Sequence, residues 1–118
     1  MVIYMLIPWD ETETVFLLEA YLQVQNGTLS SKSAAVLVSE QVHTLAEKRN
    51  VAHEKNFRSV AGISMCLQRI AYLLTDGKHG LSNNNAVYLR VIDMWEHEPE
   101  QYQLILSHAQ AQIHTNFD

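Results

Sequence analysis

Apolar side chains recur at three- and four-residue steps through most of this chain, and no stretch sustains the two-residue alternation of a half-buried strand. The pattern predicts an all-α protein, a compact bundle of about five helices. It is clearest from Val60 to Leu74, where Val60, Ile63, Leu67, Ile70, Ala71 and Leu74 share one helix face while Ser64, Gln68, Tyr72 and Thr75 look outward. A helix there must bury its apolar side against neighbours. Asp76-Gly77 and then Gly80 end it, and upstream either Asn56 or Ser59 can cap it, so that Phe57 to Ser59 can also form a separate turn.

The remaining helices follow from their start and stop signals. Asp10 with Glu13 three residues on has capping-box spacing, which starts a first helix that runs to about Gln25 and is stopped by Asn26-Gly27. Serines 30, 31 and 33 offer alternative caps for a second helix ending near Asn50. Its inner face is Ala35, Val38, Val42, Leu45 and Ala46, with Lys32, Gln41, Lys48 and Arg49 largely in water. Ser82 to Asn85 supply caps for a fourth helix carrying Val87, Tyr88, Val91, Met94 and Trp95, the last expected as a core anchor. Glu98-Pro99-Glu100 opens a fifth, since proline suits the first helical position and carboxylates favour the positive end of the dipole. Tyr102, Ile105, Leu106, Ala109 and Ile113 form its stripe. Residues 1–8 begin with MVIYMLI, which can be a short strand, a dimer contact or an apolar strap over the bundle; the strap is the favoured reading, because isolated strands are unstable.

Length and composition narrow this picture. With 118 residues and 47% hydrophobic content the chain supports one modest core, hence a single domain over 1–118. No apolar run reaches the roughly 18 residues of a membrane span, and the N-terminal stretch lacks the basic start and cleavage pattern of a secretory signal. A lone cysteine, Cys66, excludes an internal disulfide and makes the reducing cytoplasm the expected compartment. The net charge of −5 argues against a general nucleic-acid coat. Its distribution qualifies that. From Glu47 to His79 the cations Lys48, Arg49, Lys55, Arg58, Arg69 and Lys78 outnumber Glu47, Glu54 and Asp76, leaving the middle of an acidic protein positive.

Catalytic and metal chemistry is sparse. No histidine stands at a helical spacing that would activate Cys66, which reads as a packing residue. His43 and Glu47 lie one turn apart, and His97, His108 and His114 fall in the last segment, yet no tight His-x-x-x-His or Cys-x-x-Cys pair appears. The carboxylates at Glu96, Glu98 and Glu100 sit at a helix boundary, where dipole complementarity explains them. GKHG lacks the length and the lysine-serine ending of a phosphate-cradling loop. The expectation is a protein without catalytic residues, metal or cofactor.

The order W-D-E-T-E-T-V-F-L-L-E-A-Y-L, NGTLSS, NFRSVAGISMCLQRIAYLL, GKHGLS and VIDMW, from Trp9 to about Trp95, resembles the helical N-terminal module that precedes HNH nuclease domains in bacterial restriction-type endonucleases. The motif positions carried by the resemblance are Asn56, Arg58, Ser59, Gly62, Ile63, Met65, Leu67, Gly77, Gly80, Leu81, Ser82 and Trp95. Cys66 stands where that family tends to have lysine, and Arg69-Ile70-Ala71 replaces an asparagine-phenylalanine pair. No histidine-asparagine-histidine nuclease arrangement follows. The resemblance therefore implies a core over 9–97, a C-terminal helix over 98–118, and a non-catalytic target-recognition role in a restriction or defence system.

In physical terms that role predicts a helix-turn-helix-like core, with helix two bracing helix three and the outer side of helix three entering a DNA groove. Arg58 and Ser59 would hold a phosphate at the helix start, Ser64, Gln68 and Arg69 would read base edges, and Lys55 and Lys78 would grip the backbone of plain or modified DNA. A second class fits the same residues. The acidic balance, Tyr72, Tyr88, Trp95 and Tyr102 and the apolar N-terminus also suit a helical adaptor for a separately encoded nuclease or ATPase subunit, or a homodimer. The two diverge on one point: DNA requires Lys55, Arg58, Arg69 and Lys78 on one exposed face, an adaptor an exposed apolar patch.

Overall fold

The computed structural model describes residues 7–114 and contains five helices: α1 Glu11–Gln25, α2 Ser31–Lys48, α3 Val60–Leu74, α4 Ala86–His97 and α5 Pro99–His114. The expected strap over residues 1–8, and the last residues of the expected fifth helix, fall mostly outside the described residues.

α1 is the axis of the bundle and packs against each of the other four helices. Its composition explains this. Glu13 to Leu18, Ala20 and Tyr21 are all buried, so the helix has almost no solvent side and no marked amphipathic stripe, as expected of a central helix. α2 and α3 present one buried face each, and α5 closes the bundle with Tyr102, Leu106 and Ala109. Tyr88, Tyr102 and Phe16 are the largest fully buried side chains. Trp95, expected as a core anchor, and Ile105 and Ile113 on the expected α5 stripe, are only partly buried and pack at the edge of the core. Val60, placed by periodicity on the inner face of α3, is instead 39% exposed, while Ile63 in the same turn is fully buried.

Helix ends follow the local chemistry of the sequence. Asp10 accepts from the Glu13 amide at 2.8 Å and completes the capping box, and Ser30, Ser59 and Asn85 cap α2, α3 and α4. Asp10→Ala is expected to lower stability by about 1 kcal/mol, read from the urea midpoint. α1, α2 and α3 each end with a residue at positive φ, Gly27, Asn50 and Asp76, followed by a six-to-one backbone bond: Thr28 to Gln23, Val51 to Ala46, Gly77 to Tyr72.

α2 and α3 pack together, but Arg49 to Ser59 separate them, longer than the three- or four-residue turn of a helix-turn-helix. The pair is held instead by a folded connection. The Ser39 hydroxyl donates to the Arg58 carbonyl at 2.8 Å, and Phe57 lies against His53 and His43, with ring centroids 4.6 and 5.7 Å away.

Candidate recognition surface

Arg58 was expected to lead a contact with DNA, and its surroundings reassign it. The residue has φ 48°, a left-handed conformation that turns its side chain away from the α3 axis and into the bundle. Nε donates to Glu13 Oε2 at 2.9 Å and Nη2 to Glu13 Oε1 at 3.0 Å, a two-pronged ion pair. Nη2 also donates to the carbonyl oxygens of Ile7 and Pro8, at 3.1 and 3.3 Å. The guanidinium carbon sits 4.4 Å from the centre of the Trp9 ring and 4.6 Å from that of Phe57. The Arg58 and Glu13 side chains are only 10% and 6% exposed. Nε and Nη2 are thus spent inside the fold, on Glu13 and on the Ile7 and Pro8 carbonyls. The correction follows from desolvation: a cation taken this far from water must be paired inside the fold.

The other expected contacts separate into groups. Ser59 is the cap of α3, its hydroxyl accepting from the Gly62 amide at 3.2 Å. Lys55 and Lys78 are exposed but lie beyond opposite ends of α3, which by its length are about 22 Å apart. Arg69 is half-buried, with Nη1 3.9 Å from Cys66 Sγ. These cations do not assemble into one positive face. Arg49 and Arg90 are engaged elsewhere, with Asp10 and Glu11. Both are exposed pairs of the kind that contribute little to stability.

Ser64 and Gln68 are brought together. They lie one turn apart on the solvent side of α3 and line a groove of about 260 Å³ formed with Tyr21, Val24 and Gln25 at the end of α1 and Ser31 at the start of α2. Beside them the exposed residues of α3 are uncharged up to the half-buried Arg69, which continues the Met65 row. Two adjacent rows run along α3, Val60-Ser64-Gln68 and Ala61-Met65, all exposed, with Met65 at 51%. Leu81, also exposed, extends the first row, because its amide donates to the Gln68 carbonyl at 3.0 Å.

The loop that follows α3 is clamped to it. A side-chain carbon at Gly80 would come within 2.1 Å of the Gln68 carbonyl oxygen and 2.8 Å of the Tyr72 nitrogen, so only glycine permits this approach. Asn83 Nδ2 donates to the Arg69 carbonyl at 3.0 Å and fixes the next turn. Burial raises the Tyr88 hydroxyl well above its ordinary value, and the neighbouring Cys66 thiol raises it further. That is core chemistry, in keeping with the reading of Cys66 as a packing residue. Among the described residues no three His, Cys, Asp or Glu side chains converge as metal ligands, and no helix is long and apolar enough to cross a membrane.

Sequence reasoning missed Met65, Val60 and Leu81 as surface residues, and His79 and Thr75 as groove residues. Met65 carried a signal. It lies outside the run of apolar positions that marks the inner face of α3, so an apolar residue there is anomalous. Leu81 and His79 depend on the loop's fold-back and leave no periodic trace. Compared with known proteins, the chain matches no family model, no curated protein and no solved structure. Of the expected motif positions, Arg58, Ser59 and Gly80 are engaged in the fold: in the ion pair with Glu13, in the cap of α3 and in the close approach to Gln68.

Proposed function

We propose that this chain is a non-catalytic recognition module that binds a protein partner through the outer side of α3, as an adaptor in a restriction- or defence-type assembly. One observation carries the reading: the exposed rows of α3 are neutral and partly apolar, with Val60, Ala61 and Met65 in solvent beside the Ser64 and Gln68 groove. An apolar anchor flanked by uncharged polar groups is the composition of an interface centre, from which charges are depleted. Phosphate affinity requires several cations on one face. Here the best placed of them, Arg58, is bonded inside the protein. The spacing of Val60, Ser64 and Gln68 suits a partner helix lying along α3, in the manner of helix-in-groove recognition. The resemblance supports the assignment to a restriction-type system and supplies a candidate partner, a separately encoded nuclease subunit.

DNA remains the competing reading, on Lys55 and Lys78 exposed beyond the two ends of α3. A single comparison separates the two. Met65→Glu, a change at a surface position expected to cost under about 0.5 kcal/mol, should abolish co-purification of the partner from the protein's own host while leaving the fold intact by circular dichroism. Identical co-purification by wild type and Met65→Glu would reject the proposal. So would salt-dependent binding of duplex oligonucleotides, plain or methylated, that Lys55→Ala with Lys78→Ala weakens and flattens.

A further inference from the structure

The turn between α1 and α2 holds the chain's single Asn-Gly pair. Asn26, Gly27 and Thr28 are all exposed. Asn26 is the C-cap of α1, and its side-chain oxygen accepts two hydrogen bonds, from the Thr28 amide at 2.9 Å and from the Thr28 hydroxyl. Its Nδ2 donates none among the described residues. Gly27 follows at φ 83°, and nothing lies within 4 Å of a carbon added there. Its amide is tied to the Val24 carbonyl at 3.2 Å, the long end of the range for such a bond.

Other asparagines lack one of these features. Asn83 has its Nδ2 fixed, donating at 3.0 Å to the carbonyls of both Arg69 and Leu81. Asn85 also receives two amides on its oxygen, from Val87 and Tyr88, but the nitrogen that follows it belongs to Ala86, which carries a side chain and opens α4. At Asn26 a doubly bonded oxygen meets an unshielded nitrogen.

We infer that Asn26 is a site of spontaneous deamidation, assisted by Thr28. Hydroxide removes the Gly27 amide proton, the nitrogen adds to Asn26 Cγ, the Cγ–Nδ2 bond breaks, and the side-chain nitrogen leaves as ammonia with a proton taken from water. A cyclic imide results. Water then opens it at either carbonyl, giving aspartate or, with a methylene added to the main chain, isoaspartate. Addition collects negative charge on Oδ1, where the Thr28 N–H and O–H already point, so the two donors stabilise that step as an oxyanion hole does. Glycine supplies the rest. No side chain shields its nitrogen, and it can follow as Asn26 turns away from its ψ of 2° in an exposed turn that opens at little cost. Isoaspartate lengthens the chain just where the Thr28 amide bonds the Gln23 carbonyl, which loosens the end of α1.

The test ages the full chain in mildly alkaline buffer and follows each asparagine by peptide mass spectrometry. Conversion is expected first at Asn26, as the mass gain of an amide replaced by an acid, while Asn83 and Asn85 stay intact. Thr28→Val keeps the backbone donor and removes the hydroxyl, so it should slow conversion about two- to tenfold, the rate equivalent of one neutral hydrogen bond. In guanidinium chloride, where the fold no longer holds Thr28 against Asn26, both proteins should convert at the same rate. The isoaspartyl form, separated by chromatography, should unfold at a lower urea midpoint than the intact chain. Equal midpoints would overturn the effect on α1. Conversion at Asn83 or Asn85 before Asn26, equal native rates for wild type and Thr28→Val, or a difference between them that persists in guanidinium overturns the assignment itself.

Discussion

Arg58→Ala is expected to destabilise the protein by about 3–5 kcal/mol, the loss seen when one partner of a buried ion pair is removed and the other is left without compensation. Here the orphan is Glu13, 5% exposed in the first turn of α1. The truncation also removes the donors to the Ile7 and Pro8 carbonyls and the cation over the Trp9 ring. Against a total stability of about 5–15 kcal/mol, that is a large share. The measurement is urea unfolding followed by circular dichroism: the midpoint should fall sharply with an unchanged slope. Glu13→Gln should lose less, because the amide retains one acceptor for the guanidinium. A double-mutant cycle through Arg58→Ala and Glu13→Ala should show strong coupling, since the second truncation has little left to break. A stable, well-folded Arg58→Ala protein would remove the central claim about how α3 is attached to α1.

Gly80→Ala is expected to cost about 2–4 kcal/mol, and Gly27→Ala only about 1 kcal/mol. Both glycines have positive φ, 89° and 83°, so both substitutions carry the conformational penalty. They differ in space. Nothing lies within 4 Å of a carbon added at Gly27, whereas at Gly80 it would strike the backbone of α3 at 2.1 Å. Backbone cannot yield as a side-chain tip can. The loop must lift, breaking the Leu81 bond to Gln68 and the Asn83 bond to Arg69. Because Leu81 continues the exposed row of α3, Gly80→Ala should also impair partner binding in the co-purification assay. Equal thermal shifts for the two variants would show that the loop is not clamped.

These two positions show why the candidate site was harder to read than the fold. Arg58, Ser59, Gly62 and Gly80 were singled out as motif positions of the resemblance, Arg58 and Ser59 also as candidates to hold a phosphate at a helix start in a locally basic stretch. An arginine signals a cation, but whether its charge faces water or a carboxylate 45 positions away along the chain is a long-range fact. Glu13 looked complete as a capping-box residue, and its bond to the Asp10 amide is present at 3.4 Å. Its shorter bonds go to Arg58. Gln41 was placed in water by its position on α2, yet α1 and α5 close over its oxygen.

What the sequence determined by itself was local. The helix start at Asp10, the starts narrowed to serines 30, 31 and 33 and to Ser82–Asn85, the stops at Asn26-Gly27 and Asp76-Gly77, and the inner face of α2 follow from caps, turn residues and period, which act within a few residues. Tertiary structure decided the rest: that α1 runs through the centre, that Arg58 turns inward onto Glu13 and Trp9, and that the loop at Gly80 folds onto α3 and leaves a neutral, partly apolar strip in solvent. Burial of a charge and close approach of two backbones arise only when distant segments meet, and no spacing within one segment records them.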